Sequence, residues 1–187
     1  DLSSDMLNEA AGRGRLNDHY QPLCADAESL PLEAGSQGLV FSCFALQWCN
    51  PGRVMAEVYR VLAPGGRLLL AVPLAGSLRE LGQSWQAVNQ RPHVNALPSL
   101  KDWQQAALQA GFVDAQIQQQ VMVEYYESVK HIARRLKATG ADHVSGASGL
   151  TGRHAWQAMV AEYETRRTGQ GLPLTWNVLF LEAEKTE

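Results

Sequence analysis

The most regular pattern of apolar and polar positions lies in residues 38–73. It starts with an apolar run at residues 39–41, typical of a strand covered on both faces, and ends with a second apolar run at residues 68–72. Between them, apolar residues recur at helical spacing and predict one helix face: Val54, Val58, Val61 and Leu62. This order predicts a βαβ unit, in which a right-handed crossover joins two parallel strands.

Local signals mark both ends of the helix in this unit. Asn50 can cap free backbone N–H groups, and Pro51 has no N–H to lose in the first helical turn. Pro64 fixes its own φ and Gly65 can adopt positive φ. The segment Ala63–Gly66 is therefore predicted to reverse the chain tightly before the second strand.

The N-terminal and central parts of the chain contain weaker signals. A short helix is predicted within residues 6–16, a short strand at 20–25 and a polar loop at 26–37. Residues 74–98 are rich in Gly, Ser, Asn and Pro and are predicted to be irregular, apart from a helix at 78–88.

The C-terminal half alternates helices and strands. Ser99 and Asp102 resemble a capping box that opens a helix, which Gly111 ends. Residues 113–125 predict a strand at a sheet edge because its middle is polar, and residues 174–185 predict the last strand. Two helix faces lie between them, on either side of a Gly/Ser-rich loop at 140–152: Val129, Ile132, Ala133 and Leu136, then Trp156, Met159, Val160 and Tyr163 with Thr151 as cap.

This alternation predicts an α/β fold with a doubly wound sheet. In such sheets, ligands bind beyond the carboxyl ends of the strands. That rule selects four candidate binding positions: Asp1 and its neighbours, Asp26, residues 42–49 and residues 73–77.

Composition narrows the class of protein. A length of 187 residues with 45% hydrophobic and 19% charged residues suits one globular domain, and a net charge of −3 indicates no general affinity for nucleic acid. The sequence contains neither a membrane-span run nor a signal-peptide pattern, and its three cysteines include no C-x-x-C pair. We expect reduced thiols in a cytoplasmic protein, with no disulfide framework and no metal site.

Several side chains at the selected positions suit a ligand, and each has a simpler alternative. The carboxylate of Asp1 can accept hydrogen bonds from ribose hydroxyls, or Asp1 is simply a solvated terminus. The carboxylate of Asp26 can accept a hydrogen bond from an adenine amine, or Asp26 caps a turn or a helix. Phe44 and Trp48 can pack on a ring or belong to the core.

The polar residues after the second strand can hold an anionic group of a substrate, or they form a solvated loop: Arg79, Arg91, His93 and Asn95. The helix side formed by Lys130, Arg134 and Lys137 is solvated or docks an acidic protein.

Eight segments together resemble one family: DLSSDML, ADAESLPL, FSCFALQWC, EVYRVLAPGGRLLLAVP, GSLRELGQSWQAV, RPHVN, LKATGA and GLPLTWNVLF. The first four are shared by class I S-adenosylmethionine (SAM) methyltransferases. The motifs ALQW, GSL-x-EL, RPH-x-N and LK-x-x-GA, in this order, resemble the bacterial malonyl-[acyl-carrier protein] O-methyltransferases of biotin synthesis.

The resemblance implies methylation of the free carboxylate of a malonyl thioester, carried by acyl-carrier protein or by CoA. SAM would be the methyl donor and S-adenosylhomocysteine the product. Because a carboxylate is ionised at neutral pH, no general base is required, and proximity and a dry pocket would supply most of the acceleration. Candidate substrate contacts are Gln47, Trp48, Arg91, His93 and Asn95. The acidic carrier protein would dock on Lys130, Arg134, Arg135 and Lys137.

Motif positions imply further roles. Asp1 matches the family's ribose-binding acid, Leu2 and Met6 flank the adenine, Asp26 and Ala27 match its edge, and Cys43 and Phe44 match the cofactor loop. The implied strand order is 3-2-1-4-5-7-6, with strand 7 antiparallel. The implied organisation is a single domain over 1–187, with substrate-covering segments at 74–98 and 126–170.

The chain departs from the family pattern at its start. The family has a strand and a Gly-rich SAM loop before the acid that matches Asp1, whereas this sequence begins at that acid. We therefore expect the C-terminal portion of a methyltransferase domain. The alternatives are a class I methyltransferase for a different small molecule and a non-catalytic remnant.

Overall fold

The structure is a computed structural model that describes residues 1–16, 19–138 and 152–186. Its helices are α1 (Ser4–Gly12), α2 (Pro51–Val61), α3 (Arg79–Gln86), α4 (Leu100–Ala110), α5 (Val129–Ala138) and α6 (Arg153–Glu164). Its strands are β1 (Gln37–Cys43), β2 (Leu62–Pro73), β3 (Gln116–Tyr126) and β4 (Leu172–Glu184), and a short 3-10 helix spans Leu46–Trp48. The predicted loop at 140–152, except Gly152, and the predicted cap Thr151 lie outside the described residues.

The strands form one sheet in the order β1-β2-β4-β3, and β1 and β2 are parallel. Gly65 N–H donates to the Lys185 carbonyl and Leu74 N–H to the Asn177 carbonyl, so β4 runs antiparallel to β2. The βαβ unit and the edge position of β3 are thus confirmed. The observed order equals the last four strands, 4-5-7-6, of the order that the resemblance implies.

The helix signals predicted at Asn50, at Ser99 and on the faces of α2 and α5 are also confirmed. The Asn50 side chain accepts a bond from Arg53 N–H at 3.1 Å, and Ser99 and Asp102 form a reciprocal capping box. The face of α2 is buried as predicted, and so are Val129, Ile132 and Leu136 of α5.

Two predictions about strands are wrong. Leu39 and Phe41 are 55% and 69% exposed, although burial on both faces was expected, because β1 is an edge strand of the described sheet and is shielded less than a central one. Residues 20–25 form no strand. The Ala25 N–H donates to the Asp1 carbonyl at 3.0 Å, so this segment lies beside Asp1. The contact does not extend into the ladder of paired residues that defines a strand.

The predicted reversal at Ala63–Gly66 takes another form. β2 begins directly after α2, and its register with β1 steps from Gln37–Leu62 to Leu39–Arg67, so that five positions of β2 span two of β1. The extra residues form a bulge, with Gly65 at a φ of +73°. A Cβ on Gly66 would lie 2.7 Å from the Ala63 carbonyl oxygen, so only glycine fits there.

The chain divides into two compact units. The first comprises Asp1–Val72, Pro98–Gln118 and Leu179–Glu187, and α2 packs against α4 within it. The second comprises Pro73–Leu97 and Gln119–Val178, and α3 packs against α6 within it around a buried apolar cluster. The single-domain organisation, with covering segments at 74–98 and 126–170, stays a prediction. None of the helices in the described part of the chain is long and apolar enough to cross a membrane.

Candidate functional site

The first unit brings the surroundings of Asp1 and Asp26 close together. The bond from Ala25 N–H to the Asp1 carbonyl joins the two segments just before Asp26. The carboxylate of Asp1 accepts a bond from Ser3 N–H at 2.8 Å, and that of Asp26 from Glu28 N–H at 2.9 Å. Both residues are exposed, so lone pairs of each carboxylate face solvent and can accept further bonds.

The loop after β1 is tied to the turn at Asp26 through Glu28. The Glu28 carboxylate accepts a bond from Asn50 N–H at 2.6 Å and contacts the Arg53 guanidinium at 3.4 Å. Burial raises the pKa of the Cys49 thiol, and the negative charges of Glu28 and Asp26 raise it further, so the thiol lies within the field of both carboxylates. Sequence reasoning missed Glu28, whose only signal was its place two residues after Asp26.

The same loop holds Phe44 in an unusual conformation. Phe44 has a φ of +53°, its N–H donates to the Ala71 carbonyl at 2.8 Å, and its side chain remains exposed. Leu2 and Met6 are exposed apolar side chains as well. Exposed carboxylates can accept hydrogen bonds from hydroxyl and amine groups, and exposed apolar side chains can pack on a ring, so these side chains are available to a ligand. Ala27 is half-buried and Cys43 is an exposed free thiol.

Gln47 and Trp48 lie in the 3-10 helix that follows. Gln47 Nε2 donates to the Phe44 carbonyl at 3.0 Å, whereas its Oε1 is buried without a partner among the described residues. The free group of this amide is therefore an acceptor, which suits an N–H group better than a carboxylate. Trp48 is half-exposed.

The other candidate substrate residues belong to the second unit. The His93 ring stacks on Trp85 with a centroid distance of 3.7 Å, and its Nε2 lies 3.0 Å from Asn89 Oδ1. Because an amide oxygen only accepts, Nε2 carries the proton. Burial and the Arg91 charge lower the pKa of His93, so the ring is neutral at pH 7 with Nδ1 as an acceptor. Arg91 is exposed and always charged, which makes it the better carboxylate donor of the two, while Asn95 is half-buried.

Glu80 is a second residue whose importance sequence reasoning missed. It is 7% exposed, and its carboxylate accepts bonds from Thr175 N–H at 3.0 Å, the Thr175 hydroxyl and Arg79 Nε at 3.2 Å. Burial opposes ionisation, but these hydrogen bonds outweigh it and lower the pKa of Glu80. They fix the segment that follows β2, which includes Leu78 at a φ of +56°. The only signal was the acid in GSL-x-EL.

The second unit has two further surface features, an open groove and a basic helix side. An open groove of about 560 Å³ is lined by Ala87, Val88, Ala158, Ala161 and Glu162, none of which was a candidate site residue. The predicted basic side of α5 is present, since Lys130, Arg134 and Lys137 are exposed. Arg135 is exposed too, but it bonds to the Tyr126 hydroxyl.

Comparisons with known proteins identify relatives over the whole chain. A family model described as a methyltransferase domain matches residues 1–70. The malonyl-[acyl-carrier protein] O-methyltransferase of Alcanivorax borkumensis is 82% identical, over 100% of this chain and 64% of its own length. The enzymes of the same name from Laribacter hongkongensis and Herminiimonas arsenicoxydans are 38% and 33% identical, and the chain covers 64% and 71% of them. The chain thus spans about two thirds of the length of these relatives.

Solved structures agree on the fold. The Bacillus subtilis YcgJ protein is 19% identical with a TM-score of 0.60, over 100% of this chain and 81% of that one. The Haemonchus contortus phosphoethanolamine N-methyltransferase 2, solved with S-adenosylhomocysteine, is 21% identical with a TM-score of 0.57, over 100% and 42%. The Rossmann-like methyltransferase fold is therefore shared.

Proposed function

Because the chain belongs to the malonyl-[acyl-carrier protein] O-methyltransferase family, we propose that the protein methylates the free carboxylate of a malonyl thioester with SAM as donor. The observation that carries the proposal is the 82% identity to the Alcanivorax borkumensis enzyme of that name over the whole chain. The proposed reaction is an early step of biotin synthesis, and its proposed location is the cytoplasm.

The first unit is proposed to hold the adenosine part of the donor. Asp1 would accept bonds from the ribose hydroxyls and Asp26 from the adenine amine, with Ala27 at the adenine edge. Leu2, Met6 and Phe44 would pack on the ring, and Cys43 would lie beside it. When bound, SAM supplies an electrophilic methyl group on a positively charged sulfur.

The chain's own contribution to the chemistry is to bind and orient. The malonyl carboxylate is already ionised at neutral pH, so no side chain has to remove a proton from it. Arg91 is the preferred residue to hold this carboxylate, because its guanidinium is exposed and permanently charged. Gln47, Trp48, His93 and Asn95 are proposed as further substrate contacts, with Gln47 and neutral His93 acting as acceptors.

The acidic acyl-carrier protein is proposed to dock on α5. Its exposed cations Lys130, Arg134 and Lys137 recur along one side of the helix, which suits an acidic partner. Arg135 is proposed as part of this surface while it also contacts Tyr126.

A transfer assay separates the possible substrates. The chain is incubated with methyl-labelled SAM and, in turn, malonyl-carrier protein, malonyl-CoA, acetyl-carrier protein and a quinone precursor, with the Alcanivorax borkumensis enzyme as positive control. We expect label on the two malonyl thioesters only, because acetyl-carrier protein has no free carboxylate. Label on the quinone precursor alone would assign a different methyltransferase. A labelled product with the control enzyme and none with the chain would indicate a non-catalytic remnant.

A further inference from the structure

The edge strand β3 carries an exposed apolar stripe. Val121, Val123 and Tyr125 are 57%, 41% and 42% exposed. They alternate along the strand, so their side chains leave the same face of the sheet. A row of large apolar side chains on an edge strand is a recurrent site of protein association.

Two features that often prevent an edge strand from pairing, basic residues and proline, are missing from β3. Its sequence, QIQQQVMVEYY, contains no Lys, Arg or Pro. The charged residue of the strand, Glu124, lies on the other face, where its carboxylate accepts bonds from Trp176 Nε1 and the Tyr126 hydroxyl, both at 2.9 Å. Charge therefore does not protect the exposed stripe.

The absence of charge on the stripe also selects its partner. These three side chains carry no positive charge that could attract an acidic protein such as a carrier protein. A second copy would present the same uncharged stripe, so its binding requires no opposite charge. A two-fold axis through an antiparallel strand pair sets each residue opposite a residue of the same strand in the other copy. With the axis at Val123, Val121 lies opposite Tyr125, which is a favourable aromatic and β-branched pair, and Glu124 lies opposite Met122. With the axis at Glu124, two carboxylates would meet.

We propose that two copies of this chain associate by antiparallel pairing of their β3 strands, with Val123 at the two-fold axis. The contact is one strand and a few side chains from each copy, which is smaller than the roughly 800 Å² per partner of a stable interface. The dimer is therefore weak and depends on concentration. Association through β3 does not involve the methyl-transfer reaction, so it can be present or absent whether or not the chain transfers a methyl group.

Sedimentation equilibrium over a concentration range reaching several hundred micromolar tests the proposal. The mean mass of the chain should rise from its monomer value of 20.5 kDa toward twice that value. Val123→Lys should remain a monomer at every concentration, because two ammonium groups would meet at the axis. Leu108→Lys is the matched control, since Leu108 is an exposed apolar residue of α4 outside β3, and it should associate like the wild type. Circular dichroism checks that both variants are folded.

Two further measurements fix the mode of pairing. In a chain with Cys24, Cys43 and Cys49 replaced by Ser, Val123→Cys should give an intermolecular disulfide on oxidation, and Met122→Cys should give less than a tenth as much. Added salt should leave the dimer affinity unchanged, because no ion pair is involved. A wild-type mass of 20.5 kDa at all concentrations, or equal association of Val123→Lys, would overturn the proposal.

Discussion

Gly111 shows how one residue decides where α4 ends. It has a φ of +114°, a conformation that residues with a side chain rarely adopt, and it follows the last residue of the helix. A Cβ at this position would lie 2.7 Å from Cζ of the Tyr59 ring. That ring packs edge-on against Phe112 and lies under the Lys185 ammonium group, so it has little room to move.

Gly111→Ala is therefore expected to lower the free energy of unfolding by about 1–3 kcal/mol, through backbone strain and displacement of Tyr59. Gly12→Ala is the matched control, because a Cβ there meets no atom within 4 Å and its φ is negative. The control should be neutral or slightly stabilising, since alanine favours helices. Urea denaturation of both variants measures the difference, and equal midpoints would contradict the strain argument.

The lowered pKa of Glu80 predicts that the free energy of unfolding depends on pH. Its ordinary pKa is 4.5 in the unfolded chain, and hydrogen bonds from Thr175 and Arg79 lower it in the folded protein in spite of burial. Its stabilising contribution is therefore complete above pH 4.5 and is lost as the pH falls through the folded pKa. Glu80→Gln should cost about 1–3 kcal/mol at pH 7.

The measurement is the difference in free energy of unfolding between wild type and Glu80→Gln as a function of pH. This difference should shrink as the pH falls below 4.5, where the wild type loses its charge. Glu9→Gln removes an exposed carboxylate paired with Arg13 and should change little at any pH. A difference that stays constant from pH 7 to pH 3 would show that ionised Glu80 does not stabilise the fold.

At the scale of elements, α5 allows the proposed carrier contact to be tested. Its exposed cations Lys130, Arg134 and Lys137 can be changed to Glu without touching the buried face of Val129, Ile132 and Leu136. We expect the triple variant to bind malonyl-carrier protein at least tenfold more weakly at low salt, with a smaller difference at high salt. Arg135 is left unchanged because it contacts Tyr126.

Surface plasmon resonance at two salt concentrations measures this effect. Lys101→Glu, an exposed cation on α4, is the control and should bind the carrier protein nearly like the wild type. Unchanged affinity of the triple variant at low salt would remove α5 from the proposed docking surface.

The sequence predicted elements best where a local rule decides them. Asn50, the capping box at Ser99 and the glycine at 111 fix helix ends through bonds within a few residues. The apolar run at residues 39–41 predicted a strand correctly but not its burial, because neighbours in the sheet determine exposure. The strand predicted at 20–25 is absent because a strand also needs a ladder of backbone bonds to a neighbour, which the local sequence does not determine. Glu28 and Glu80 were missed because their contacts join residues 22 and 95 positions apart.

At the scale of the whole molecule, the chain contains two compact units and about two thirds of the length of its relatives. The proposed adenosine residues all belong to the first unit, while Arg91, His93 and the basic side of α5 belong to the second. Gln47 and Trp48, also proposed as substrate contacts, belong to the first unit, so variants at Arg91 or His93 are the ones that test substrate binding apart from the proposed adenosine residues.

Calorimetric titration of the chain with S-adenosylhomocysteine tests the proposed donor use most directly. We expect micromolar binding that Asp26→Asn weakens at least tenfold, because a lost hydrogen bond to a charged acceptor costs roughly 1.5–3 kcal/mol. Asp114→Asn, which changes an exposed aspartate outside the proposed site, should bind like the wild type. Absence of binding heat, or equal affinity of the two variants, would contradict the proposal that this chain holds the methyl donor at Asp26.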